Sequence, residues 1–161
     1  MPDVWVAIAL FVAGLASGFV DSIAGGGGLI SVPALMLAGL GPKAAIATNK
    51  LQAVFGSSMA TYQYYRHDHL DPRPAIPGIV ITFFAAAAGT LTVRAIPSDI
   101  LGKIIPIAMG AILVYTIFSP RLGHTSRKPI LGRYGFYAIF GGLIGFYDGF
   151  FGPGTGSFWT V

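Results

Sequence analysis

The sequence predicts an all-α fold: a polytopic transmembrane helical bundle with glycine-broken or re-entrant helices, in a two-repeat architecture whose second repeat is truncated. Three observations carry that expectation. The first is composition. Of 161 residues, 54% are hydrophobic and 10% charged, with 23 glycines and a mean hydropathy of +0.72, against roughly 25% charged and 7% glycine in an ordinary soluble domain. Ten Lys or Arg and six Asp, with no Glu, are too few to cover the water-facing surface of a domain this long. The second is the spacing of those charges, which leaves apolar runs close to the roughly 20 residues a membrane-crossing helix needs. The third is an internal echo. Gly14, Gly18, Phe19, Asp21, Gly25 and Gly27 recur 127 residues later as Gly141, Gly145, Phe146, Asp148, Gly152 and Gly154. High hydrophobicity excludes disorder, the absence of cysteine excludes a disulfide scaffold, and aperiodic glycine excludes collagen.

The first uncharged run, 4–20, follows Met1-Pro2-Asp3 with no Lys or Arg ahead of it, so it reads as a retained span and not a cleaved signal. The next, 22–42, contains Gly25, Gly26, Gly27 and Gly28 in succession. Each glycine costs about 1 kcal/mol relative to alanine inside a helix, so a break is expected there. Leu29 to Leu40 is too short to cross and reads as a half-helix, closed by Gly41-Pro42. A helix of about 44–65 follows, carrying Thr48, Asn49, Lys50 and Gln52 near its start. The stretch from Arg66 to Arg73 reads as a polar turn. Its His67, His69 and Asp71 match no standard zinc spacing, and no metal or other cofactor is expected.

Residues 74–93 form the cleanest predicted span, with proline near the start, where a missing N–H costs least, and four alanines plus Gly89, which permit close helix packing. Ile104 to Pro120 is the next span, and 134–147 opens the second copy of the motif. The expected organisation is therefore a first repeat over 1–133 and the start of a second over 134–161. Ending just past its second glycine motif, the chain reads as part of a longer protein. If 74–93 and 104–120 each cross once, the loops 66–73 and 121–133 share a side. They carry Arg66, Arg73, Arg121, Arg127, Lys128 and Arg133, against Arg94 and Lys103 in the loop between, so they are predicted to be cytoplasmic.

The glycine breaks are where chemistry is expected. Non-helical backbone at membrane depth is tolerated only where protein or a water-filled cavity satisfies its polar groups. A half-helix opening on glycines turns free N–H groups and the positive end of its dipole toward one place, which suits a small anion. Gly152, Gly154, Thr155 and Ser157 repeat the device with two hydroxyls added. Close packing or a tight turn is the structural alternative. Asp21 and Asp148 suit either proton coupling or capping of the freed N–H groups. The Thr48, Asn49, Lys50 and Gln52 cluster offers neutral donors and one cation for an oxyanion, or Lys50 snorkels to the headgroups. No Walker loop, dinucleotide fingerprint, catalytic triad or basic stripe with interleaved aromatics is present, so neither an enzyme nor a nucleic-acid binder is expected.

The stretches GFVDSIAGGGGLISVPALMLAGLGPKAAIATNKLQAVFGS, YYRHDHLDPR and GFYDGFFGPGTGSFW resemble the sulfite exporter TauE/SafE family of bacterial membrane proteins, over about residues 10–161. The resemblance implies a multi-pass transporter of two related halves in the plasma membrane, exporting sulfite or another small sulfur-containing anion. It carries the family pattern onto Asp21, Gly25 to Gly28, Thr48, Asn49, Lys50, Gln52, Asp148, Gly152, Gly154, Thr155 and Ser157. Its expected partners are the lipid bilayer, a small anionic substrate, and a second half or another copy. An anion channel and a non-transporting membrane scaffold or half-transporter subunit are the alternatives from other classes.

Overall fold

A computed structural model describes residues 3–23, 25–67, 73–118 and 132–156. Among them there is no strand. Helix α1 spans Val4–Ile23, α2 Gly28–Leu37, α3 Pro42–Arg66, α4 Ile76–Ala95 and α5 Ser98–Phe118. A short 3-10 turn, Arg73–Ala75, leads into α4. The chain resumes with α6, Arg133–Phe136, a π-helical turn Tyr137–Gly141, and α7, Gly142–Phe150. Among the described residues, three helical stretches are long and apolar enough to cross a membrane: Val4–Ile23, Arg73–Ala95 and Ser98–Tyr115.

Local chemistry explains most boundaries. The expected break falls at the glycine run, and α2 is a ten-residue half-helix. It ends where Gly39 takes a left-handed φ of +93°, letting the Leu40 N–H return to the Leu35 carbonyl at 3.0 Å. Pro42 then opens α3, and Pro77 sits in the first turn of α4, both places where a missing N–H is harmless. α4 stops as Ile96 turns extended before Pro97, the conformation that a following proline imposes. Lys43 donates from Nζ to the Arg94 carbonyl at 2.9 Å, placing a cation on the negative end of α4.

The packing is that of a membrane protein. Phe11, Phe83, Ile107 and other large apolar side chains face outward, while the interior is a small cluster of Val32, Ala45, Ile46, Val93, Leu101, Ile105 and Phe151. Lipid is as apolar as leucine, so such helices are held by close backbone approach. The α4–α7 pair illustrates it. A Cβ added at Gly149 would collide with the Ala86 carbonyl, one at Gly89 with the Phe146 carbonyl, and one at Gly145 would lie 2.9 Å from the Thr82 carbonyl. Thr90 Oγ1 donates to the Gly149 carbonyl at 3.0 Å across the same seam.

Candidate functional site

The first break begins where α1 ends. Gly25 takes φ +65°, which reverses the chain, and Asp21 on the last turn of α1 accepts the Gly27 N–H at Oδ1, 2.7 Å away. The carboxylate thus acts on a backbone donor freed by the break, as a cap does. Gly27 is buried against α1 so closely that a Cβ there would overlap the Ser17 carbonyl. The Ile30 and Ser31 N–H groups then return to the Gly27 carbonyl at 2.8 and 3.0 Å, starting α2.

The second break has the same plan with different chemistry. Gly152 and Gly154 take φ +87° and +81° after α7. Asp148, at the place in the echo that Asp21 holds, accepts at Oδ1 from Thr155 Oγ1 at 2.8 Å, and Tyr147 donates its hydroxyl to the Pro153 carbonyl at 2.9 Å.

The two motifs, separated by 127 residues in sequence, meet in space. The Gly156 N–H donates to the Gly25 carbonyl at 2.7 Å. A Cβ on Gly25 would stand 3.1 Å from Gly156 Cα, and one on Gly28 would stand 3.0 Å from Pro153 Cα, so a side chain at either place would press the facing backbone back by a few tenths of an ångström. α3 supplies the polar side chains. Lys50 donates from Nζ to the Asp148 carbonyl, binding α3 to the C-terminal end of α7. Asn49 is buried and accepts the Ser31 hydroxyl at Oδ1, which holds α3 against α2.

A cavity of about 540 Å³ opens where the breaks cross. Asp21, Gly25, Gly26 and Gly28 line it from the first break, and Asp148, Gly152, Gly154, Thr155 and Gly156 from the second. From α3 come Asn49, Lys50, Ala53, Val54, Ser57 and Ser58. The cavity therefore combines one ammonium, two carboxylates each engaged through Oδ1, several hydroxyls and an amide. That set suits a small polar solute held by direct and charge-assisted hydrogen bonds.

Most residues singled out from the sequence converge here. Thr48 does not: it is exposed and stands outside the lining. Gln52 instead donates from Nε2 to the Gly14 carbonyl at 2.8 Å, tying α3 to α1. Gly27 lies behind the cavity wall, and Ser157 lies outside the described residues. Sequence reasoning passed over Gly156, Ser57 and Ser58. The two serines are seven and eight residues beyond Lys50, the spacing of one helix face, and that spacing could have found them. Among the described residues, no group of three or more His, Cys, Asp or Glu is placed to hold a metal ion.

A family model described as sulfite exporter TauE/SafE matches residues 10–161. The chain is 43% identical over 152 residues to the probable membrane transporter protein YfcA of Escherichia coli K12, covering 94% of this chain and 56% of that protein. It is 42% identical to the probable membrane transporter protein ORF9 of Sinorhizobium sp, covering 94% and 58%. It is 41% identical to a probable membrane transporter protein of Haemophilus influenzae, covering 94% and 60%. The chain thus spans somewhat more than half the length of the curated relatives it matches. No solved structure matches it. With its apolar spans, its glycine-broken helices and a match over nearly its whole length, the chain belongs to the sulfite exporter TauE/SafE family of membrane transporters.

Proposed function

We propose that the protein carries a small oxyanion, sulfite or an organosulfonate, out of the cell across the bacterial plasma membrane, binding it where the two glycine breaks cross. The observation that carries this reading is the Gly156 to Gly25 hydrogen bond, which brings both breaks and Lys50 to one cavity. Interrupted helices meeting near the bilayer midplane are where transporters place substrate. Lys50 supplies the cation, Asn49 and Thr155 lie beside it, and the glycines leave backbone within reach of a bound oxygen. The name of the matching family supports sulfite as the first anion to test.

Energetics favour the outward direction. In a cell that is negative inside, moving one negative charge outward releases about 2.3 kcal/mol per 100 mV. Asp21 or Asp148 carries a proton in the coupled variant of this mechanism. The working orientation places 66–73 and 121–133 in the cytoplasm, and the working unit includes a second half or another copy of the chain.

The test uses the full-length protein in proteoliposomes. Sulfite efflux that saturates with concentration, follows the imposed potential and disappears in Lys50→Ala is expected. Flux that never saturates indicates a channel, and absence of binding to sulfite and to sulfonates removes the anion reading. Rate and pH dependence both unchanged in Asp21→Asn remove Asp21 as the proton carrier.

A further inference from the structure

Ser31 and Asn49 are buried polar residues, 3% and 4% exposed, and the fold joins them. Asn49 lines the crossing cavity beside Lys50, whereas Ser31, one turn into α2, is not among the lining residues. Ser31 Oγ donates to Asn49 Oδ1 and has a second acceptor, the Gly27 carbonyl, at 3.4 Å. A carbonyl four residues back is a common partner for a helix serine. Here it already accepts the Ile30 and Ser31 N–H groups at 2.8 and 3.0 Å. A carbonyl oxygen has two lone pairs, so the hydroxyl proton goes to Oδ1.

That bond fixes which end of the Asn49 amide faces which way, since the partners of a carboxamide decide its orientation. Oδ1 is held inside the protein, and Nδ2, with its two hydrogens, has no acceptor among the described residues. The unpartnered side-chain atoms sealed from open space there are Ser17 Oγ and Asp21 Oδ2. Nδ2 is not one of them, so it reaches open space, and the space that Asn49 borders is the cavity. Its neighbour is Gly28, also a lining residue, whose Cβ would stand 3.0 Å from Nδ2.

We propose that Ser31 is a positioning residue of the site: by donating to Asn49 Oδ1 it turns the amide donors toward the bound anion. The inference rests on the anion reading above. A deprotonated oxyanion only accepts hydrogen bonds, so a reversed amide would set oxygen against oxygen. With Ser31 in place, this wall of the cavity gives hydrogen bonds and does not accept them. In the sequence echo Phe158 takes the place of Ser31. It has no hydroxyl, so the device belongs to the first repeat.

Full-length protein in nanodiscs gives two readouts. The first is sulfite affinity by calorimetry. Ser31→Ala is expected to raise the dissociation constant about three- to tenfold, the range of one net hydrogen bond, and to add little when Asn49 is already alanine. A serine with a purely structural role would weaken both backgrounds alike. The second readout needs no sulfite: the side-chain carbonyl carbon resonance of isotope-labelled asparagine. Asn49 is the only asparagine in these 161 residues, and its signal is identified by its loss in Asn49→Ala. A carbonyl that loses its donor moves upfield, so this resonance is expected to move upfield in Ser31→Ala. Sulfite affinity unchanged in Ser31→Ala overturns the proposal, as does an equal loss in the two backgrounds or an unmoved resonance. If wild-type protein binds neither sulfite nor a sulfonate, the anion reading falls, and the resonance alone decides whether Ser31 holds the amide.

Discussion

Gly25 and Gly27 stand two residues apart and are required for different physical reasons. Gly25 has the left-handed φ of +65° and faces Gly156 backbone, whereas Gly27 has an ordinary helical φ of −59° and lacks only space. Gly27→Ala drives a methyl group into the Ser17 carbonyl, an overpacking that costs about 1–3 kcal/mol. Gly14→Ala is the control, since a Cβ there meets nothing within 4 Å and alanine favours a helix by about 1 kcal/mol. Thermal unfolding in detergent is expected to show the first variant melting lower and the second no lower than wild type. Lys50→Met probes electrostatics instead. It strips the Asp148 carbonyl of its donor and the cavity of its cation. Hydrogen bonds to charged groups contribute about 1.5–3 kcal/mol, so the dissociation constant for sulfite, read by calorimetry, is expected to rise about tenfold or more.

Between elements, α4 and α7 depend on glycine where a soluble protein depends on buried leucine. Replacing Gly149 by Val places branched carbon against the Ala86 backbone, which has no rotamer to yield. The helices must separate, and the Thr90 to Gly149 hydrogen bond is lost with them. Gly110→Val on α5, where a Cβ meets nothing within 4 Å, is expected to melt like wild type while Gly149→Val melts well below it. A comparable loss in both variants removes the close-packing account. This seam was partly legible in the sequence, because Ala85 to Gly89 stands out as a run of small residues. The break was legible too, since four glycines override any helix propensity, and the expected half-helix over 29–40 differs from Gly28–Leu37 by a few residues at its ends. The site face of α3 was less legible. Thr48 and Gln52 lie two residues on either side of Lys50, and residues two apart do not share a helix face. Chemical type grouped them with Lys50, while helical geometry turns one outward and the other toward Gly14.

For the molecule as a whole, the echo acquires physical meaning through a contact: the Gly25 and Gly156 regions, far apart in sequence, touch through backbone. The binding place proposed there has a direction only if the chain has an orientation. α4 has 20 residues, about 30 Å at 1.5 Å per residue, which equals the hydrocarbon thickness. A helix of that length suits one crossing, which would put Arg66 and Arg73 beyond one face and Arg94 at the other. If α5 crosses as well, Arg121, Arg127, Lys128 and Arg133 make the first side the more basic, which is the ground for proposing that it faces the cytoplasm. The chain contains no cysteine, so a thiol introduced within it reports one position, provided any cysteine elsewhere in the full-length protein is replaced. His67→Cys, just past α3, is expected to react with a membrane-impermeant maleimide only after cells are opened. Ser98→Cys, at the start of α5, is expected to react on intact cells. The reverse pattern inverts the molecule, turning a cleft that reaches Asp21 beside Tyr64 toward the outside. A solute entering that cleft would then come from the medium, against the outward direction proposed.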